Sequence, residues 1–349
     1  MSLLDQISPQ EKAEFVKNLA LLIRSGKPIN ESLDLLSDQI DNRVFKKALK
    51  EANGKVEKGT PLHQALSQNP NFGKVFTSFI RAGEESGTLQ ENLEHLADWL
   101  ERNHRLKREI NSATLYPKIV VLFAIILGGI LSVAVLPQLV LVFGTLQVEL
   151  PFTTRILLRA SELIRGNSTL ILTTLLGVVF VAWLIFRLES VKRIWHKIVI
   201  KIPILGSIYK EYQLTIISQL ITTLFQSGVT INESLDIISE SVTNLVYRDA
   251  IEKVRERVST GVGFADAMTD YPQLFPSIFI SVVLTGEQTG SYGDSFQYLA
   301  DFFAERITEK TEKLPTILEP VLLIVIGVFV AVIASAIIMP IYEVTQGLY

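Results

Sequence analysis

At 349 residues, with 48% apolar and 20% charged side chains, the chain has material for about two domains and is too hydrophobic to be a disordered tail. Its 33 Lys and Arg face 36 Asp and Glu, a net charge of -3, so it lacks the clustered positive field that phosphates need, and nucleic acid is excluded as an expected partner. The absence of cysteine removes disulfides, thiolate catalysis, Cys-based zinc sites and iron–sulfur ligation, while a mean hydropathy of +0.33 demands a home for long apolar segments.

In chain order, the N-terminal stretch mixes Asp5, Glu11, Lys12, Glu14 and Lys17 with apolar positions and shows no signal-peptide pattern, so the first membrane span is expected to act as an uncleaved insertion signal. Ser8-Pro9-Gln10-Glu11 reads as a capping box with Pro at the first helical position. Gly26 reads as a helix stop, Asn30 as the cap of the next helix, and Gly59-Thr60-Pro61 as a further stop and start. About six short helices are expected in residues 1–112, and no sustained period-two alternation argues for strands. The last of these helices carries Leu89, Leu93, Leu96 and Leu100 on one face and runs through a basic stretch to Tyr116-Pro117.

Three runs hold no ionisable side chain: Ile119 to Val148, Gly166 to Phe186 and Pro320 to Tyr342. A hydrocarbon core of about 30 Å takes roughly 20 helical residues, so each run predicts a transmembrane helix. The expected layout is a first cytoplasmic helical domain over 1–112, spans at 113–143, 167–187 and 316–342, an outer connection over 144–166, a second cytoplasmic helical domain over 188–315 and a short outer tail over 343–349. Basic residues near the spans set the orientation. Arg102, Arg105, Lys107, Arg108 and Lys118 precede the first, Arg187, Lys192, Arg193, Lys197 and Lys201 follow the second, and Arg306, Lys310 and Lys313 precede the third, so the N-terminus is expected in the cytoplasm and the C-terminus outside. In the outer connection, Ile156, Leu157, Ala160, Leu163 and Ile164 form an apolar face opposite Arg159 and Glu162, as an interfacial helix would.

The chain also repeats itself. Ser25-Gly26-Lys27-Pro28-Ile29-Asn30-Glu31-Ser32-Leu33-Asp34 recurs from Ser227 to Asp236 with eight of ten positions identical, an offset of 202 from Gly26 to Gly228. The register runs through Gly59/Gly261 and Pro70/Pro272, slips by one, and continues as Phe76/Phe279, Gly83/Gly286, Gly87/Gly290, Pro117/Pro320 and Pro137/Pro340. The unit of duplication is therefore one helical domain plus the span after it, and an unrepeated middle span returns the chain so that both domains face the same compartment. Ala124, Gly128 and Ser132 make a small-residue stripe on the first span, matched by Gly327, Ala331 and Ser335 on the third, which predicts close packing of those two helices.

Catalytic constellations are missing. No phosphate-cradling Gly-rich loop is present, His63, His95, His104 and His196 lack metal-ligand spacing, and none of the three runs carries the buried charge a proton relay or ion-coupled transporter needs. Neither an enzyme, a cofactor nor a metal is expected. The sharpest polar motif is Gly83-Glu84-Glu85-Ser86-Gly87, echoed by Gly286-Glu287-Gln288-Thr289-Gly290. It reads either as a tight helix–helix turn or as an exposed contact for a partner or cation.

These residues, with Tyr116-Pro117 entering the first span, Glu149-Leu150-Pro151 after it, Ile202-Pro203-Ile204-Leu205-Gly206 after the second and Leu318-Glu319-Pro320 entering the third, resemble the type II secretion system F-domain family. Its members are the polytopic inner-membrane platform proteins of type II secretion and type IV pilus assembly. Glu109 departs from the family signature, which usually carries a basic residue there, and the leading segment of many members has no counterpart. The resemblance implies a non-enzymatic, all-α bacterial inner-membrane platform that couples a cytoplasmic assembly ATPase to pilin or pseudopilin polymerisation. The partners it implies are that ATPase, other inner-membrane platform proteins, pilin or pseudopilin subunits, membrane lipid and further copies of the chain. The competing expectation is a duplicated membrane receptor or transporter subunit.

Overall fold

The computed structural model describes residues 7–130, 184 and 188–346, and every regular element among them is helical. The first copy comprises α1 (Pro9–Arg24), α2 (Ile29–Gln39), α3 (Arg43–Val56), α4 (Leu62–Ser67), α5 (Lys74–Ser86) and α6 (Leu89–Ala113), followed by α7 (Leu115–Ile130). The second is introduced by α8 (Glu189–Lys201) and comprises α9 (Leu205–Gln226), α10 (Ile231–Ser241), α11 (Leu245–Ser259), α12 (Phe264–Met268), α13 (Ser277–Thr289) and the long α14 (Tyr292–Gln346). The chain divides into two compact units, one from Met1–Glu109 and Arg193–Glu309, the other from Ile110–Lys192 and Lys310–Tyr349.

Helix α1 begins as the sequence predicts: Ser8 Oγ accepts from Glu11 N at 3.0 Å, and Ser8 N donates to the Glu11 carboxylate at 2.7 Å. Its end is set by Gly26, whose φ of 79° turns the chain so that Lys27 N reaches back to Leu22 O at 3.0 Å. Gly228 repeats this geometry, with φ 77° and Val229 N on Leu224 O at 2.9 Å. The expected cap at Asn30 is corrected by the structure. Pro28, with φ -56° and ψ 146°, stands at the helix entry, so α2 starts at Ile29 and Asn30 lies inside it. The Asn caps sit elsewhere. Asn42 Oδ1 accepts from Val44 N and Phe45 N at 3.1 and 3.2 Å, and Asn244 accepts from Val246 N and Tyr247 N at 2.8 and 3.3 Å.

The core of the first unit is one continuous apolar cluster drawing on both copies. The repeat places the same aromatic ladder in each: Phe45, Phe72 and Phe76 have successive ring centroids 6.0 and 5.0 Å apart, and their counterparts Tyr247, Phe275 and Phe279 are 6.0 and 5.6 Å apart. Where the second copy has Tyr247 for Phe45, its hydroxyl donates to Leu274 O at 3.1 Å, and burial pushes its pKa upward. The repeat breaks at α9, which corresponds to α1. Whereas α1 buries one face, α9 is buried nearly all round and is tied at its start to other helices: Arg306 donates to Glu211 at 2.9 Å, and Tyr212 OH donates to Asn103 Oδ1 at 2.9 Å. The turn into α9 is tight. Leu205 N bonds Pro203 O at 2.7 Å across Ile204, whose φ of 65° and ψ of -64° place a branched residue in a strained γ-turn. Gly206 makes this possible, because a Cβ there would lie 2.5 Å from Ile200 O.

The second unit contains α7 and the distal part of α14. Both present large apolar side chains outward, Phe123 at 68% and Ile324 at 66% exposed among them. The segment from Leu89 to Leu127 is long and apolar enough to cross a membrane, and α14 continues as helix through the charge-free run that starts at Pro320. The first span beyond Ile130, the outer connection with its interfacial helix and, apart from Leu184, the predicted second span lie outside the described residues.

Candidate functional site: the Gly-Glu turns and the contact between copies

The paired Gly-Glu-x-x-Gly motifs each have three mechanical parts. The first glycine lets two helices close on each other: a Cβ on Gly83 would meet Leu89 Cα at 2.7 Å, and one on Gly286 would meet Ser295 Oγ at 2.6 Å. The last glycine ends the helix in the left-handed region, with φ 74° at Gly87 and 73° at Gly290. Between them, the glutamate reaches across to a different helix. Glu84 accepts from Leu62 N at 2.6 Å and His63 N at 3.1 Å, and contacts His63 Nδ1 at 2.5 Å. Glu287 accepts from Phe264 N and Ala265 N at 2.9 and 3.0 Å. Each carboxylate thus satisfies the orphan amides that open the shortest helix of its bundle, where α4 and α12 begin with Pro61 and Gly263 in place of a side-chain cap. Glu85, in contrast, is exposed to solvent. Among the described residues no group of three or more acidic or His side chains is arranged to hold a metal ion.

The small-residue stripe is placed less evenly. Ala124 joins Val120, Val121, Ile125, Leu322, Val325 and Ile326 in lining an apolar groove of about 130 Å³ between α7 and α14. Gly327 faces open space, Ala331 and Ser335 are exposed, Gly128 lies within α7, and Ser132 falls outside the described residues.

A contact that the sequence reading did not anticipate joins the two copies. Helix α5 packs on α10, where Lys74 Nζ donates to Asp236 at 2.7 Å and Glu240 at 2.6 Å, Arg81 pairs with Glu233, and Arg255 completes the cluster on Asp236. Burial lowers the Lys74 pKa, but the bonds to Asp236 and Glu240 outweigh it and hold the ammonium above its ordinary 10.5. The Lys74 bond in turn holds the Asp236 carboxyl below its ordinary 3.8. Further along, Thr308 donates to Glu109 at 3.1 Å, giving the unusual acid a partner in the other copy. The signal for this interface was present as basic residues at 74 and 81, an i, i+7 pair, and acids at 233, 236 and 240, at i, i+3 and i+7, but nothing in one sequence pairs the two stripes.

A duplicated helical bundle with apolar helices issuing from both copies defines a tandem-repeat membrane protein. The profile of the family described as Type II secretion system (T2SS), protein F matches residues 15–137 and again 217–340, and the chain belongs to that family, with its domain present twice. Its relatives include the type IV pilus assembly protein PilC of Thermus thermophilus, 29% identical over 335 residues that span 96% of this chain and 82% of the relative. Type II secretion system protein F of Aeromonas hydrophila is 30% identical over 266 residues, covering 75% of this chain and 68% of that one. The type IV pilus assembly protein TapC of Aeromonas hydrophila is 27% identical over 343 residues, 97% of this chain and 82% of its own length.

Proposed function

We propose that the chain is the inner-membrane platform of a secretion or pilus machine, coupling a cytoplasmic assembly ATPase to polymerisation of pilin or pseudopilin subunits. Membership of the family through both copies of its domain carries this reading, because the curated relatives are named for type II secretion and for pilus assembly. The layout is three spans at 113–143, 167–187 and 316–342, with helical domains over 1–112 and 188–315 in the cytoplasm and the C-terminus outside. The outward apolar side chains of α7 and α14 support residence in lipid, where they lose nothing by exposure. The charged contact between α5 and α10 supports joint movement of the two domains, since ion pairs of this kind fix register more than they add stability. The Gly-Glu turns are assigned to domain architecture first and partner docking second, with no cofactor or metal.

Two measurements test the reading. Because the chain has no cysteine, single cysteines at Lys47 and Tyr349 report sidedness with a membrane-impermeant maleimide. Labelling of Tyr349→Cys but not Lys47→Cys from the outer face is expected, and labelling of both from one face overturns the three-span layout. The detergent-solubilised full chain is expected to retain the assembly ATPase of its own cell on co-purification. Loss of the ATPase from folded, correctly oriented protein overturns motor coupling.

A further inference from the structure

The contact between the two copies is not reciprocal. Helix α5 of the first copy rests on α10 of the second, while the equivalent pair, α13 with α2, forms no comparable packing. The repeat therefore leaves each half of the interface used once and displayed once. On the acidic side, Ile237 is 0% exposed within the contact, and its counterpart Leu35 is 42% exposed on α2. Glu31, Asp34 and Asp38, the counterparts of Glu233, Asp236 and Glu240, are all exposed beside it. On the other side, Val75 and Ser78 of α5 are buried, and their counterparts Ile278 and Ser281 on α13 are exposed, Ile278 at 40%. The two cations that hold α5 in place are replaced as well: Ser277 stands for Lys74, and Leu284, 39% exposed, stands for Arg81.

We propose that the α13 face of one chain docks on the α2 face of a second copy, repeating between chains the contact that α5 and α10 make within one. The occupant is argued from the duplication itself. Among the described residues, only an α5-like helix covers an α2-like stripe, and α13, the α5-like helix of the second copy, makes no such packing. A head-to-tail contact of this kind uses two different patches, so it extends into a ring or an open array rather than stopping at a twofold dimer. Its chemistry differs from the internal version. Leu35 meets Ile278 and Leu284, the Ser277 and Ser281 hydroxyls face the acidic stripe, and Glu31 and Asp38 keep the lysines of their own copy, Lys27 at 3.9 Å and Lys46 and Lys50 at 3.2 Å, so no ion pair crosses the contact and its salt dependence is weak. The inference goes beyond the motor-coupling reading and stands independently of it, since it uses only the repeat and the burial of equivalent residues.

The absence of native cysteine makes the test direct. Full-length Leu35→Cys and Ile278→Cys chains, purified separately and co-reconstituted in liposomes, are expected to form a disulfide-linked dimer on mild oxidation. The yield should be at least about tenfold above that from Ile278→Cys with Lys47→Cys, an exposed control on α3. Neither variant alone should cross-link, and a chain carrying both substitutions should give a ladder of higher species. Adding Leu284→Arg, which restores the cation that Arg81 provides internally, should raise the yield, and Leu284→Asp should lower it several-fold. Cross-linking by either variant alone overturns the head-to-tail geometry. A mixed yield no greater than the control, or the reverse order for Arg and Asp at position 284, overturns the interface. None of these outcomes depends on the ATPase.

Discussion

The two copies of the bundle share their interiors and differ on their faces. Equivalent positions hold the aromatic ladder, the Asn caps, the left-handed glycines and the glutamate that reaches across to the shortest helix. Divergence concentrates where one copy meets the other: Lys74 and Arg81 against Ser277 and Leu284, Asn53 against Arg255, and one-sided α1 against the almost fully buried α9. What the bundle needs to close was kept in duplicate. What it needs for company was specialised, as a tandem repeat must do when each copy has a different neighbour.

The largest expected separation between the copies lies at Leu35 and Ile237. Ile237→Ala should cost about 2–5 kcal/mol, while Leu35→Ala should stay within roughly 0.5 kcal/mol, read as thermal unfolding of the solubilised chain at low protein concentration. Equal losses would mean that the α5–α10 contact does not form. Next come the capping glutamates, where Glu84→Ala and Glu287→Ala should each cost about 1–3 kcal/mol by orphaning two backbone amides. Each carboxylate also has a side-chain partner, His63 for Glu84 and Tyr292 for Glu287, so the two losses should be similar. Gly83→Ala should cost about 1–3 kcal/mol, because its new Cβ meets backbone. Gly286→Ala should be partly rescued by Ser295→Gly, since the obstacle there is a side chain.

The smallest effect is electrostatic. Lys74→Ala should cost about 1 kcal/mol or less, because its partners are substantially exposed. Its pH dependence has two signs. Asp236 titrates below its unfolded value, so its contribution is present above about pH 4 and is lost as pH falls through the depressed pKa. Lys74 titrates above its unfolded value, so its share is complete below about pH 10 and is lost as pH rises through the raised pKa. A stability profile of Lys74→Ala that still parallels wild type at both extremes would show that the pair contributes nothing.

Much of the bundle is readable along one strand of text, because caps, glycine stops and helical periodicity are local. Ser8 with Glu11 and the Gly26/Gly228 stops needed no neighbour to be recognised. Asn30 misled because Pro28 restricts its own φ so strongly that it starts the helix two residues earlier, leaving a good capping residue unused. The reach of Glu84 to Leu62 and the ion pairs of Lys74 were hidden for a different reason. They join residues 22 and 162 positions apart, and a single sequence carries no record of which distant stripes meet. The small-residue stripe did not reveal which of its members would lie against another helix, since Ala124 does and Gly327 does not.

The Lys74 and Arg81 contact acquires another meaning from covalent linkage. Two domains on one chain meet at an effective concentration of roughly millimolar order, so an interface with a Kd of about 10 μM, too weak to hold dilute separate chains together, is occupied nearly all the time. Such a contact can be opened by a modest force and closes again without waiting for a diffusing partner. A contact between separate chains has no tether and must supply its occupancy from affinity, for which apolar area serves better than exposed ion pairs. Tethering thus releases the charged part of the internal face from the need to bind tightly and leaves it free to set register.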